Sequence, residues 1–203
     1  MSGAWLQTYT GKKAEPLELR HAQVCIEDIA HALSNICRFG GHTRRFYSVA
    51  EHSVRMADEL WAGRGTGMLS LAALLHDAPE AYLGDIPAPL KRHFFICPED
   101  KGETFATYER RAMGAILVGL GLDGLLASWA DLESKVKQAD MRMLATEKRD
   151  LLGPEPEPRG KLPEPYDMDL ADPMPSVRAR DQFLFRYRML VSDCGPEARE
   201  IES

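Results

Sequence analysis

Two histidines and two aspartates sit where this sequence otherwise places core residues. His52 lies between Val49 and Met56 at helical spacing, so its imidazole can face inward with them. The segment Met68-Leu-Ser-Leu-Ala-Ala-Leu-Leu is apolar nearly all round, as a central helix would be, and it runs straight into His76 and Asp77. Asp140 falls within the stripe Leu132, Val136, Ala139, Met143, Leu144, four residues after Val136. A carboxylate there needs a cation, a strong hydrogen-bond network or an open cleft, because burying an unpaired charge is costly. Two imidazoles and two carboxylates could meet at one ion. That mixed nitrogen and oxygen set suits Mn, Co, Fe, Ni or Zn, and suits Mg less because of the histidines.

The elements that must position these groups read as helices. Apolar residues recur at helical spacing, and no segment alternates with period two for long enough to suggest a sheet, so the expected class is all-α. The pattern predicts helices over Val24–Cys37, Ser48–Ala62, Met68–Ala78, Glu99–Gly119, Ser128–Leu152 and Ser176–Ser192. Pro79 must end or kink the third, since it lacks the N–H that would bond Leu75. Seven of the 13 prolines lie between Pro154 and Pro175, which reads as a loop or tether before a C-terminal packing helix. The last helix should rest on the body or on a partner subunit, with Val177, Phe183, Leu184, Tyr187, Leu190 and Val191 on one side.

A chain of 203 residues with 44% hydrophobic and 28% charged residues reads as one globular domain, residues 1–203, and excludes collagen-like, wholly disordered and disulfide-scaffold classes. No apolar leader is visible at the N-terminus, and the longest uncharged apolar stretch, Met113–Leu122, is too short to span a bilayer. Cys25, Cys37, Cys97 and Cys194 lack C-x-x-C spacing, which fits reduced thiols. The expected location is cytoplasmic, without membrane attachment.

The net charge of −6 argues against a broad nucleic-acid-binding face. Its distribution leaves room for a small anion. No acid occurs from Ile29 to Ala50, which carries Arg38, Arg44 and Arg45, or from Ile86 to Pro98, which carries Lys91, Arg92 and His93. Residues 147–172 hold eight acids and four bases, and residues 193–203 four acids and one base, so the acidity is expected at the periphery.

The sequence resembles the HD-domain metal-dependent phosphohydrolases, in particular the small bacterial and phage enzymes related to 5'-deoxynucleotidase and the nucleoside-triphosphate-cleaving HD enzymes. The matching pieces are Arg38-Phe39, Ser48-Val49-Ala50-Glu51-His52-Ser53, Leu75-His76-Asp77-Ala78-Pro79-Glu80, Gly84-Asp85-Ile86-Pro87-Ala88-Pro89-Leu90-Lys91 and Val136-Lys137-Gln138-Ala139-Asp140, in the family's order. The resemblance spans about residues 25–143. It implies a compact helical bundle, one divalent metal held by His52, His76, Asp77 and Asp140, an acid/base pair in Glu80 and Asp85, and Arg38 as a phosphate clamp. It also suggests a homodimer.

Arg38 offers a planar fork of donors for phosphate oxygens, and Lys91 a point charge on the same substrate. Phe39 stands where the deoxynucleotidases carry Trp, so stacking survives but an indole hydrogen bond does not. The run Gly40-Gly41-His42-Thr43-Arg44-Arg45 is closer to the triphosphate-cleaving subgroup, and His42 either adds a donor to a phosphate tail or serves the loop alone. Only His93 lies between Asp77 and Asp140 as a further histidine, which favours one metal over two.

The expected activity is hydrolysis of phosphate ester or anhydride bonds in a (deoxy)nucleotide, rather than action on a nucleic-acid polymer. Two rivals are a non-catalytic nucleotide sensor, which could dispense with Glu80 and Asp85, and a helical scaffold whose polar residues satisfy one another.

Overall fold

The structure is a computed structural model that describes residues 4–63, 65–91, 93–96, 102–157 and 160–198. Its helices are α1 (Ile26–Asn35), α2 (Val49–Ala62), α3 (Gly67–Leu75), the one-turn α4 (Glu80–Leu83) and α5 (Ala88–Lys91), α6 (Phe105–Gly119), α7 (Asp123–Leu151) and α8 (Ser176–Cys194). Two antiparallel strand pairs of two residues each, β1 (Leu6–Gln7) with β2 (Lys13–Ala14) and β3 (Phe95–Ile96) with β4 (Glu103–Thr104), are the sheet content of the described residues. The class is all-α, as the periodicity predicts. Among the described residues no helix is long and apolar enough to cross a membrane.

Helix α3 is the axis. Leu71, Ala72, Ala73, Leu74 and Leu75 are fully buried, and α2, α7 and α8 pack around it, with α1 against α8. Each of the two helices that carry the histidines starts on a side-chain cap. Ser48 Oγ accepts from Glu51 N at 3.1 Å, and Thr66 Oγ1 from Leu69 N at 3.2 Å. These caps satisfy backbone N–H groups that have no partner within their helix.

Helix boundaries move where local chemistry decides. Helix α3 stops at Leu75, three residues before the predicted end, because Pro79 cannot supply the next donor; Ala78 N–H bonds the Leu75 carbonyl instead, at 2.9 Å. His76 and Asp77 therefore emerge on a tight turn. The apolar stretch Met113–Leu122 is broken at Gly121, in the left-handed region at φ 67°, and α7 starts five residues before the expected Ser128. Glu99 to Lys101, at the start of the predicted fourth helix, lie outside the described residues, as do Arg92, Cys97, Arg159 and the tail from Arg199. The described part of that helix begins at Phe105, after β4.

The proline-rich segment is a loop held on α7. Tyr166 N donates to Thr146 Oγ1 at 2.9 Å, Leu170 N to Asp150 Oδ2 at 3.1 Å, and Arg149 Nη1 to the Tyr166 carbonyl at 3.1 Å. At its end Met174 N donates to the buried carboxylate of Glu51 at 2.7 Å. Helix α8 then packs on the body through Ala179, Phe183, Leu190, Val191 and Cys194, while Val177, expected on the same side, is 59% exposed. Cys25 and Cys37 are free thiols.

Candidate metal centre

Three distant parts of the chain bring their polar groups to one point. His52 comes from the middle of α2, His76 and Asp77 from the turn after α3, and Asp140 from α7. His52 Nε2 lies 3.4 Å from His76 Nε2, 3.3 Å from Asp140 Oδ1 and 3.7 Å from Asp77 Oδ2, and His76 Nε2 lies 3.1 Å from Asp77 Oδ1. Atoms each about 2.1 Å from a shared ion are about 3.0–3.4 Å apart in tetrahedral or octahedral order, so the three shorter separations are those of a ligand set, while that from His52 to Asp77 is longer. The ligand atoms of His52, His76 and Asp140 all fall within 4.8 Å of one another.

The histidine tautomers follow from their other nitrogens. His52 Nδ1 is 2.6 Å from Glu147 Oε1, and His76 Nδ1 is 2.7 Å from the Ala73 carbonyl oxygen. Both partners are acceptors, so both Nδ1 atoms donate and the neutral imidazoles turn their Nε2 lone pairs towards each other. Two lone pairs at that separation repel unless a proton or a metal cation lies between them. The residues present therefore fit a divalent metal.

Charge balance gives the same answer. Arg38 Nη2 lies 3.1 Å from Glu147 Oε2 and 4.0 Å from Asp140 Oδ1, and Nη1 lies 3.4 Å from Asp77 Oδ2. One guanidinium thus faces three carboxylates, a deficit of two positive charges that one divalent ion would fill. In the metal-free protein a proton takes part of that place. Burial and the Arg38 charge oppose protonation of His52, but Glu147 and Asp140 outweigh them, and its pKa is pushed up to about 9. Burial acts to raise Asp77 and Asp140 as well. For Asp77 the charges of His76, His52 and Arg38 prevail; for Asp140 it is the His52 bond and the charges of both histidines. Both carboxyls stay below the ordinary range.

Glu147 is a site residue that the sequence reading assigned to the acidic periphery. It is fully buried and binds both His52 and Arg38. Its signal was present: it follows Asp140 by seven residues, two helical turns, and so shares its face. A histidine ligand whose second nitrogen is bound by a carboxylate is fixed in orientation and made more basic.

The loop carrying Arg38 is pinned to the start of α2. Arg38 N donates to the Tyr47 carbonyl at 2.9 Å and Val49 N to that of Ile36 at 3.0 Å, which ties the loop to the start of α2. Phe39, at φ 56°, is the single non-glycine residue in the left-handed region among the described residues, followed by Gly40 and Gly41 at 60° and 83°. Such backbone is uncommon and is held in place by its surroundings. The Arg38 guanidinium carbon stands 5.6 Å from the Phe39 ring centroid. The Nε of Arg38 is buried without a partner, a donor left over within the site. His42 is exposed on the same loop and makes no side-chain bond to the cluster among the described residues.

Glu80 stands on the first turn of α4, 6% exposed. Its Oε1 lies 3.7 Å from Lys91 Nζ, and its Oε2 is buried without a partner. Burial, then the charges of Asp77 and Asp85, push its carboxyl well above the usual range. Burial also raises Asp85, which is half-buried. Lys91 donates to Glu109 Oε1 at 2.7 Å; burial disfavours its charge, and Glu109, Glu80 and Asp77 more than compensate.

Fold and site together define an all-α protein with a partly buried cluster of His52, His76 and Asp140 that could hold a metal ion. The chain belongs to the family of the uncharacterized protein YfdR of Escherichia coli (strain K12), to which it is 39% identical over 148 residues, 73% of this chain and 72% of that protein. The uncharacterized protein RCAP_rcc00048 of Rhodobacter capsulatus is 35% identical over 145 residues, 69% of each. No family model matches the chain.

Proposed function

We propose that this protein is an HD-type metal-dependent phosphohydrolase acting on (deoxy)nucleotides, with His52, His76, Asp77 and Asp140 as the metal ligands. The observation that carries the reading is the convergence of His52 Nε2, His76 Nε2 and the Asp77 and Asp140 carboxylates within 3.1–3.7 Å, next to a buried, unpartnered Glu80 carboxylate oxygen. A scaffold whose polar groups satisfy one another would not leave that oxygen bare, because an unmet buried acceptor is costly.

When bound, a divalent ion supplies an acidified water and polarises a phosphoryl oxygen. The chain's own groups do the rest. Glu80, its carboxyl raised by burial, exchanges a proton at its free Oε2, either with the attacking water or with the leaving oxygen. Asp85, also raised, is its partner in proton transfer. Glu147 keeps His52 turned Nε2-inward. Arg38 and Lys91 offset negative charge on the phosphate. Arg38 does so from behind the ligand carboxylates, with Nε as its remaining donor.

The test is a panel of (deoxy)nucleoside mono-, di- and triphosphates with Mn, Co and Mg, resolving phosphate, pyrophosphate and triphosphate as products. Turnover that requires metal and Glu80 supports the reading. Tight nucleotide and metal binding with no product from any member would select the non-catalytic sensor instead.

A further inference from the structure

A cleft of about 280 Å³ is lined in part by His76, Asp77 and Glu80 of the candidate site. The rest of its lining is of another kind. Met113 and Gly114 from α6 and Leu126 and Trp129 from the start of α7 border it, together with Glu109, Arg110 and Glu133. That volume lies at the small end of ligand sites, which run from about 300 Å³ upward.

Gly114 shows why the cleft exists. It lies inside α6, where glycine weakens a helix relative to alanine. A Cβ added there would meet no atom within 4 Å, so close packing does not require the glycine. What it leaves is open space opposite an indole. The walls also decide what fits. Glu133 and the Lys91-bound Glu109 offset Arg110, so the walls offer a polyphosphate tail no net positive grip, whereas a flat ring finds an aromatic face, apolar sides and hydrogen-bonding groups.

We propose that this cleft holds the nucleoside of the substrate, with the base against Trp129 and the space kept open by Gly114, while the phosphoryl group lies at the ligand cluster. This makes Trp129 and Gly114 specificity-determining residues. The inference rests on the phosphohydrolase reading for the position of the phosphate, but the nucleoside site can be tested without turnover.

In a Trp5→Phe, Trp61→Phe background Trp129 is the sole tryptophan of the full chain. Adenosine, AMP and ribose 5-phosphate are titrated against its fluorescence in the metal-stripped protein, and kcat and KM are measured with Mn for AMP and ribose 5-phosphate. Adenosine and AMP should quench and ribose 5-phosphate should not. Gly114→Phe, and separately Trp129→Leu followed by calorimetry, should weaken nucleoside binding by about 10-fold or more, the scale of one base stacked on an aromatic ring, without altering metal affinity. Quenching by ribose 5-phosphate equal to that by AMP, or adenosine binding unchanged in both variants, overturns the proposal. Adenosine binding that depends on both residues, in a protein that hydrolyses no phosphate ester, overturns the hydrolase reading and leaves the nucleoside site standing.

Discussion

Two regions of this molecule bury carboxylates, and they treat them in opposite ways. At the N-terminal hairpin Asp28 of α1, 3% exposed, accepts from Thr10 N at 2.6 Å and from Thr10 Oγ1 at 2.9 Å. Glu51 of α2 is closed in the same fashion by Arg55 Nε at 2.8 Å and by Met174 N at 2.7 Å. These acids fasten the N-terminal hairpin and the end of the proline-rich loop to the bundle. At the other region the ligands face one another across short distances with too little positive charge, and Glu80 keeps an unpartnered oxygen. A buried acid whose lone pairs are all met is a fastener; one left short is held ready for a ligand or a proton.

The contrast can be broken by exchanging acids for their amides. On the proposed reading Glu80→Gln removes the proton carrier, and turnover should fall by about 10²–10⁴-fold in steady-state assays while bound metal persists. The same variant should stabilise the metal-free protein. A carboxyl raised by folding is ionised more readily when unfolded, so wild type loses stability as pH rises from about the unfolded value of 4.5 through the folded one. The amide has no such loss, and denaturation at a series of pH values should show its advantage vanish in acid and grow towards neutrality.

Glu147→Gln sharpens the other side. It leaves the ligands but weakens the grip on His52, and metal affinity should drop about 10–100-fold in competition with a chelator. Because a proton and the metal compete for His52 Nε2, wild-type binding should release protons and weaken below pH 9. Asp28→Asn, at a fastener, should cost about 1–3 kcal/mol in chemical denaturation and leave metal content unchanged. Smallest is Gly114→Ala, which should stabilise α6 by about 0.5–1 kcal/mol in the same measurement.

How much of this was legible in the sequence differs by the range of the information. Helices α2, α3 and α8 are written in local periodicity, and Pro79 announces the turn that presents His76 and Asp77. His52 and Asp140 betray themselves as polar groups on apolar faces. Glu147 does not, because its role depends on partners 95 and 109 residues away, and a run of charged neighbours disguises it as surface. The cleft was equally hidden: Gly114 and Trp129 lie on different helices, and the space between them is a property of how α6 and α7 pack.

The central claim is that the cluster of His52, His76, Asp77 and Asp140 holds one divalent ion. Metal analysis of protein purified without chelator, beside an Asp140→Ala variant whose helicity is checked by circular dichroism, tests it directly. The account predicts about one transition-metal ion per wild-type chain and its loss from a folded variant, as removal of one ligand from a four-ligand set requires. Equal metal content in both proteins, or a wild type that takes up no ion even after incubation with Mn, Co or Zn, would contradict it.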